Sequence, residues 1–251
     1  MLKDERLQKI VQTIEKQNII SISDIRKTMN VTEMTVRRDL KLLEEKGLLT
    51  RIHGGAKRRK EILFTELSHN EKSNIHLEEK KYIAKIVAGL IKEKDIIYIG
   101  PGTTNELIYE YLNVSYAKII TNSLSIFSKF KDDNRFELIL IGGRFRSRTD
   151  VFVGNFTNEL LGKIRVKSAF VGTNGICDDN ITTSNEEEGT CQKIILDNAI
   201  NKYILCDSSK MGKEDFYSFY NLSDATAIIT DDKIDPNIKR KCEKNIKIIN
   251  N

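Results

Sequence analysis

Val31-Thr32-Glu33-Met34-Thr35-Val36-Arg37-Arg38-Asp39-Leu40, followed by Gly47-Leu48-Leu49-Thr50-Arg51-Ile52-His53-Gly54-Gly55-Ala56-Lys57, is the stretch on which the fold turns. Val36, Leu40 and Leu43 stand at i, i+4 and i+7, which predicts a helix with one apolar stripe. Thr32 stands where an N-cap belongs, and Gly47 where a helix ends. By the helical period Arg38 lies about 200° from Val36, so it points away from that stripe. Met34, Thr35, Arg38 and Lys41 line the outer face, flanked by Glu33 and Arg37. Short hydroxyls and an apolar group suit base edges, and guanidinium forks suit guanine or phosphate. Gly54-Gly55 then supplies the positive-φ turn of a tight hairpin. Arg51, His53 and Lys57 project from it toward phosphate or the minor groove.

Two more helices are predicted upstream. Leu7, Ile10, Val11 and Ile14 repeat at helical spacing over residues 3–17. Ser21 or Ser23 starts the next helix, with Ile22, Ile25 and Met29 inward and Asn30 closing it. Three helices and a hairpin make a winged helix-turn-helix domain over residues 1–57. Asp39 reads as a salt-bridge or packing residue rather than a DNA contact. Residues 1–60 carry 15 Lys+Arg against 8 Asp+Glu, whereas the rest of the chain is nearly balanced at 26 against 28. The positive potential, and so a polyanion partner, belongs to the first part alone.

Residues 58–76 are polar, starting with Arg58, Arg59, Lys60 and Glu61, and read as a linker. From Leu77 a helix with Ile83, Ile86, Val87, Leu90 and Ile91 on one face leads into an apolar strand, Asp95–Ile99. Further short apolar runs follow at Lys118–Thr121, Leu138–Ile141, Ala169–Gly172, Tyr203–Cys206, Ala227–Thr230 and Ile246–Ile249, separated by helical segments. That alternation predicts a mostly parallel sheet covered on both faces, an α/β domain over residues 77–251.

Gly100-Pro101-Gly102-Thr103-Thr104 joins a strand to a helix start, where free N–H groups, a helix dipole and threonine hydroxyls would hold an anion. A plain turn capped by Thr103 is the simpler reading. Thr121-Asn122-Ser123, Gly142-Gly143, Gly172-Thr173-Asn174-Gly175 and Cys206-Asp207-Ser208-Ser209-Lys210 sit at other strand ends, which converge on one crevice of a parallel sheet. Lys210 is the charge partner for a phosphate. Glu187 and Glu188, opening a helix from about residue 187 to 200, are placed to accept sugar hydroxyls, or simply favour a helix N-terminus. The candidate effector residues are therefore Gly100, Gly102, Thr103, Thr104, Asn122, Asn174, Glu187 and Lys210.

The run V-T-x-x-T-V-R-R-D-L, then G-L-L-T-R-I-H-G-G-A, resembles the N-terminal domain of DeoR-family bacterial transcriptional regulators. G-T-T, I-T-N-S, L-I-G-G, an F-V-G-x-x-G-I run, T-T-x-N-x-E-E and D-x-S-K-x-G follow in the family's order. The resemblance implies an effector domain similar to ribose-5-phosphate isomerase-type folds that binds a phosphorylated sugar. The family usually has Asp where Gly100 stands, and often Asp where Asn174 stands. The Gly100–Thr104 and Ser68–Lys72 segments and Gly212-Lys213-Glu214-Asp215-Phe216 look more like the lactose phosphotransferase-system repressor branch. That branch implies a ketohexose phosphate such as tagatose 6-phosphate as effector.

The expected protein is a sequence-specific repressor of a sugar-utilisation operon, released from its operator by a phosphorylated sugar, and not an enzyme. The alternative is a sugar-phosphate isomerase-like enzyme with an appended basic domain. Isomerisation needs a general base; Thr173 and Asn174 stand where the isomerase fold would be expected to place acids, which leaves Glu187 or Glu188 as the substitutes. A nucleic-acid packaging protein is disfavoured because only the first quarter is basic. No cofactor or metal site is read: Cys177, Cys191, Cys206 and Cys242 are scattered, and His53 is remote from His69 and His76. No apolar run approaches the ~20 residues that span a bilayer. The charged start of the chain is unlike a secretory signal, so a cytoplasmic protein is expected, paired as a homodimer or homotetramer over two operator half-sites.

Overall fold

The computed structural model describes residues 3–58, 62–63 and 66–251. The chain divides into two compact units, Met1–Lys60 and Glu61–Asn251.

In the first unit the helices are Lys3–Gln17, Ile22–Met29 and Glu33–Glu45. Ser21 caps the second by accepting from Asp24 N, and Asn30 ends it in the left-handed region at φ 51°. Thr32 caps the third, accepting from Thr35 N. Leu7, Ile10, Ile14, Ile25, Val36, Leu40 and Leu43 bury together, as their spacing predicts. Asp39 joins that core: its carboxylate takes Arg6 Nε at 2.6 Å, so the buried charge is neutralised across two helices. The wing strands Leu49–Ile52 and Gly55–Arg58 pair antiparallel, and a third strand absent from the sequence reading, Ile19–Ser21, adds to the outer edge.

Only one of the two wing glycines supplies the turn. Gly54 has φ 82°. Gly55 serves a different need, because a Cβ there would collide with the backbone oxygen of Ile20 on the third strand.

The second unit is built on a seven-stranded parallel sheet. Its spatial order is Lys247–Ile249, Ala227–Ile229, Ala199–Leu205, Val166–Gly172, Ile96–Ile99, Ala117–Thr121, Phe136–Leu140. All seven apolar runs read from the sequence are these strands. Alternation buries both faces: Ile97, Ile99 and Phe170 pack on one side, Tyr98, Ala169 and Val171 on the other. The chain begins at Ile96–Ile99, winds outward to one edge, then returns to Val166–Gly172 and winds to the other. The two strands beside that reversal are neighbours, with Ile97 opposite Ser168. A crevice opens at the carboxyl ends of strands at such a switch point.

Smaller antiparallel pieces decorate the sheet: Gly175–Cys177, Asn180–Thr183 and Tyr217–Asn221, and the hairpin Arg144–Arg146 with Val151–Val153. The segment 58–76 is not a plain linker. Ile62–Leu63 pairs with Glu214–Asp215, and Ser68 with Glu71 forms a capping box that starts the helix His69–Ser73. Its later part belongs to the second unit, tied in by ion pairs of Glu66 with Arg146 and of His69 with Glu106. Arg59, Lys60 and Glu61 lie outside the described residues. Cys177, Cys191 and Cys206 are buried in the reduced form, and burial pushes the Cys191 thiol up to about 12.

Gly55→Ala is expected to lower stability by about 1–3 kcal/mol through overpacking. Gly89→Ala is the control: its added methyl meets open space within the Leu77–Leu90 helix, where Ala outperforms Gly by up to about 1 kcal/mol. Thermal unfolding distinguishes them; equal melting temperatures would remove the role assigned to Gly55.

Candidate functional site

On the first unit the outer face of Glu33–Glu45 carries the residues expected there. Met34 is 81% exposed, a large apolar side chain standing in solvent beside Thr35 and Arg38. Arg37 donates to Glu33 at 2.7 Å and Arg51 to Glu44 at 2.7 Å, so both forks are oriented by acids. Among the described residues no acid pairs with Arg38, which is exposed. The Thr32 and Thr35 hydroxyls lie 2.9 Å apart at the helix start, and Lys41 is 3.9 Å from Glu45. His53 and Lys57 are exposed on the wing. The face thus presents one apolar group, two hydroxyls and several cations in a small area.

The second unit holds a cleft at the switch point. It is lined by Pro101–Asn105 after one central strand and by Gly172–Asn174 after its neighbour. Lys210, Thr149, Thr183, Glu188 and Gln192 complete the wall with His69 and Lys72. Gly102 has φ 135°, a conformation that favours glycine, and begins the helix Thr103–Glu106. That helix runs four residues before Leu107 interrupts it, so any anion there depends on N–H groups without helical partners, hydroxyls and nearby cations rather than on a long dipole.

Cations cluster at this cleft. Lys210 Nζ stands 3.2 Å from Asp207, whose carboxyl is held below its usual range: burial opposes ionisation, but Lys210 and Ser209 outweigh it. Lys72 reaches to 3.5 Å from Asn174 Oδ1. Burial, then repulsion from Lys210, lowers the Lys72 ammonium below its ordinary value. Behind them Lys80 is buried and donates to Lys72 O. Burial and then Lys210 push its ammonium down to about 8. Two ammonium groups, Lys72 and Lys80, held below their ordinary values by burial and by the charge of Lys210, describe a site that gains from a dianion.

The acids here are engaged. Arg146 donates to Glu66 at 2.7 Å and to Glu188 at 2.8 Å, and Thr149 Oγ1 donates to Glu188 at 2.5 Å. Burial raises the Glu188 carboxyl above its ordinary value, with Thr149 and Arg146 opposing. His69 pairs with Glu106, and this bond raises its imidazolium above the usual histidine value.

Of the effector residues named from sequence, Gly102, Thr103, Thr104, Asn174 and Lys210 meet around the cleft. The other three do not line it. Gly100 is consumed by the sheet: its N–H donates to Phe170 O at 2.9 Å and its carbonyl accepts from Asn105 at 2.8 Å. Asn122 is buried with both ends used, accepting from Tyr98 Oη at 2.6 Å and donating to Phe152 O at 2.8 Å. Glu187 turns outward to Arg144. One residue on, about 100° around the helix, Glu188 turns in. Sequence reasoning missed His69 and Lys72, because nothing in composition marks residues 66–76 as part of the sheet domain, and it missed Arg146, whose partners Glu66 and Glu188 are distant in sequence. It also missed Gln192, one turn past Glu188 on the same helix face.

Among the described residues no helix is long and apolar enough to cross a membrane. A family described as "DeoR-like helix-turn-helix domain" matches residues 6–61, and "DeoR C terminal sensor domain" matches residues 75–232. The chain is 44% identical over 252 residues to the lactose phosphotransferase system repressor of Streptococcus mutans, covering 100% of each. It is 41% identical over 251 residues to the protein of that name from Staphylococcus epidermidis, covering 99% of this chain and 100% of the relative. Ribose 5-phosphate isomerase A from Methanocaldococcus jannaschii is a structural neighbour at TM-score 0.37 and 21% identity, covering 53% of each chain.

Arg38→Ala is expected to cost about 1–3 kcal/mol of binding to the cognate operator while leaving the fold intact, as a lost bidentate base contact does. Lys57→Ala should weaken binding to every sequence and reduce the salt slope by about one unit. A gel-shift titration in which Arg38→Ala binds as the unaltered protein does would show that this helix face does not read DNA.

Proposed function

We infer what the cleft senses from one premise: the chain belongs to the DeoR family and is a DNA-binding repressor of a sugar-utilisation operon. Its ligand is a phosphorylated sugar, and occupancy of the cleft lowers operator affinity. The observation that carries this reading is the convergence of the Lys72 and Lys210 ammonium groups on the Gly102–Thr104 loop. A dianion needs several donors and at least one cation to offset desolvation. The phosphate rests on the loop N–H groups and hydroxyls, with Lys210 and Lys72 supplying charge and Asn174 beside the sugar. The relatives' names point to lactose metabolism, and tagatose 6-phosphate, a ketohexose phosphate of that pathway, is the effector to try first.

On the DNA side Met34, Thr35 and Arg38 read bases in the major groove. Thr32, Glu33, Arg37 and Lys41 orient or flank them, and Arg51, His53 and Lys57 hold phosphates or the minor groove. Operation on two half-sites calls for a homodimer or homotetramer, working in the cytoplasm where the operator is. The isomerase-like alternative draws no support from relatives named as repressors.

Coupling runs through residues 66–73. His69 and Lys72 line the cleft, Glu66 is gripped by Arg146, and this segment follows the DNA-reading unit directly in sequence. A ligand that competes for Arg146, Lys72 or His69 changes how the segment is anchored. Differential contacts of this kind typically couple sites by about 1–3 kcal/mol.

Lys210→Ala and Thr103→Val should each give a repressor that binds operator but is not released by sugar phosphate. The unphosphorylated sugar should be inert. Release of both variants at the unaltered protein's inducer concentration would place the phosphate elsewhere.

The depressed lysines give a pH dependence of definite sign. An anion favours the charged forms of Lys72 and Lys80, raising their values on binding, so binding takes up protons. Affinity should be full below about 8 and fall as pH climbs above it. A restored shift of one unit is roughly a tenfold loss by pH 9.5, where the phosphate itself is fully dianionic. Calorimetry in buffers of different ionisation enthalpy reads the uptake, and equal affinity at pH 7.5 and 9.5 would contradict it.

A further inference from the structure

Two buried amide oxygens in the wall of the cleft lack a protein hydrogen-bond donor: Asn105 Oδ1 and Gln192 Oε1. Asn105 is 0% exposed and Gln192 5%. Their orientation is fixed from the other end of each amide. Asn105 Nδ2 donates to Gly100 O at 2.8 Å and reaches Phe170 O at 3.3 Å; turning the amide over would set oxygen against two carbonyls. Gln192 Nε2 faces Gly172 O at 3.5 Å, which leaves Oε1 as the free end. The remaining unpartnered buried atoms among the described residues have other settings. Asp207 Oδ2 faces Lys210, and Thr230 does not line the cleft.

Buried carbonyl oxygens find donors in folded proteins, because an unpaired one forfeits its hydration for nothing. A phosphate dianion cannot be that donor, since it offers acceptors only. Nor can the neighbouring side chains be recruited cheaply. One helical turn before Gln192, Glu188 Oε1 already takes both Arg146 and Thr149. Lys72 points to Asn174, and Lys210 to Asp207. What matches an amide oxygen beside a cation cluster is an O–H group on the same molecule that carries the phosphate.

We infer that Gln192 determines effector specificity by accepting a hydrogen bond from a sugar hydroxyl, with Asn105 Oδ1 as a second acceptor in the same wall. This deepens the sensor reading above and rests on it. The ligand class is thereby narrowed to polyhydroxylated phosphates; inorganic phosphate and phosphorylated acids short of hydroxyls satisfy the lysines and leave the amides unpaired. A site built to pair with a hydroxyl rejects analogues that lack it far more strongly than an apolar pocket rejects an added one.

Calorimetric titration of the full chain and of Gln192→Met, a substitution of similar volume, with tagatose 6-phosphate, fructose 6-phosphate and inorganic phosphate tests this. The expected result is a loss of about tenfold or more for the better-bound sugar phosphate in Gln192→Met, with inorganic phosphate affinity unchanged and the melting temperature of the free protein no lower. Equal sugar-phosphate affinity in the two proteins overturns the inference, as does an equal loss for inorganic phosphate, which would mark a general disturbance of the cleft. A full chain that binds none of the three probes overturns the sensor reading itself, and the role of Gln192 with it. Binding by the full chain with an indistinguishable variant removes only Gln192.

Discussion

The Arg146 guanidinium, shared between Glu66 and Glu188, is the interaction on which the sensing half of the molecule depends. Each partner comes from a different part of the chain: Glu66 from the segment after the DNA-reading unit, Glu188 from the first turn of a helix over the sheet, Arg146 from a hairpin. All three are largely removed from water. Removing one would leave an uncompensated charge in a site that has already given up its hydration, which is costlier than the pair itself is stabilising. The network also fixes what the cleft presents. With Thr149 and Arg146 on Glu188, that helix face has one oxygen engaged and the next turn, at Gln192, open to a ligand.

The lysines impose the opposite demand. Lys72, Lys80 and Lys210 repel one another in partly dry surroundings, a state that hydrophobic packing alone would not select. The Gly102–Thr104 loop next to them offers N–H groups and hydroxyls but no acid. A cleft that holds cations and unpaired amide oxygens in one wall is complementary to a molecule that carries both a phosphate and hydroxyls. Its location follows from topology: the two central strands diverge in chain direction of winding, and their carboxyl ends leave the only gap such a sheet builds for free.

Much of this was legible in the sequence, and for identifiable reasons. Val36, Leu40 and Leu43 at helical spacing, with Thr32 before them, mark the reading helix because its period and cap are local, although its burial is not. Seven apolar runs specify a sheet buried on both faces. What escaped depended on contacts distant in sequence. Glu187 and Glu188 are equivalent as letters; only the phase of the helix, set by the Asn185 cap, decides that the second faces the cleft. Asn122 at a strand end looks like a ligand contact until Tyr98, a buried neighbour from the adjacent strand, takes it. Residues 66–73 are polar and short of apolar periodicity, so they read as a linker, although ion pairs hold them to the sheet domain. Gly55 looked like a turn glycine because the strand that crowds it lies more than thirty residues upstream.

The central claim is that a ligand in the cleft acts through the Glu66–Ser73 segment. Hydrogen–deuterium exchange of the full chain, with and without saturating tagatose 6-phosphate, reads it directly. The account predicts altered protection in the His69–Ser73 helix and at the Ile62–Leu63 pairing, at the same concentration that releases operator. Operator release with exchange in that segment unchanged would contradict it.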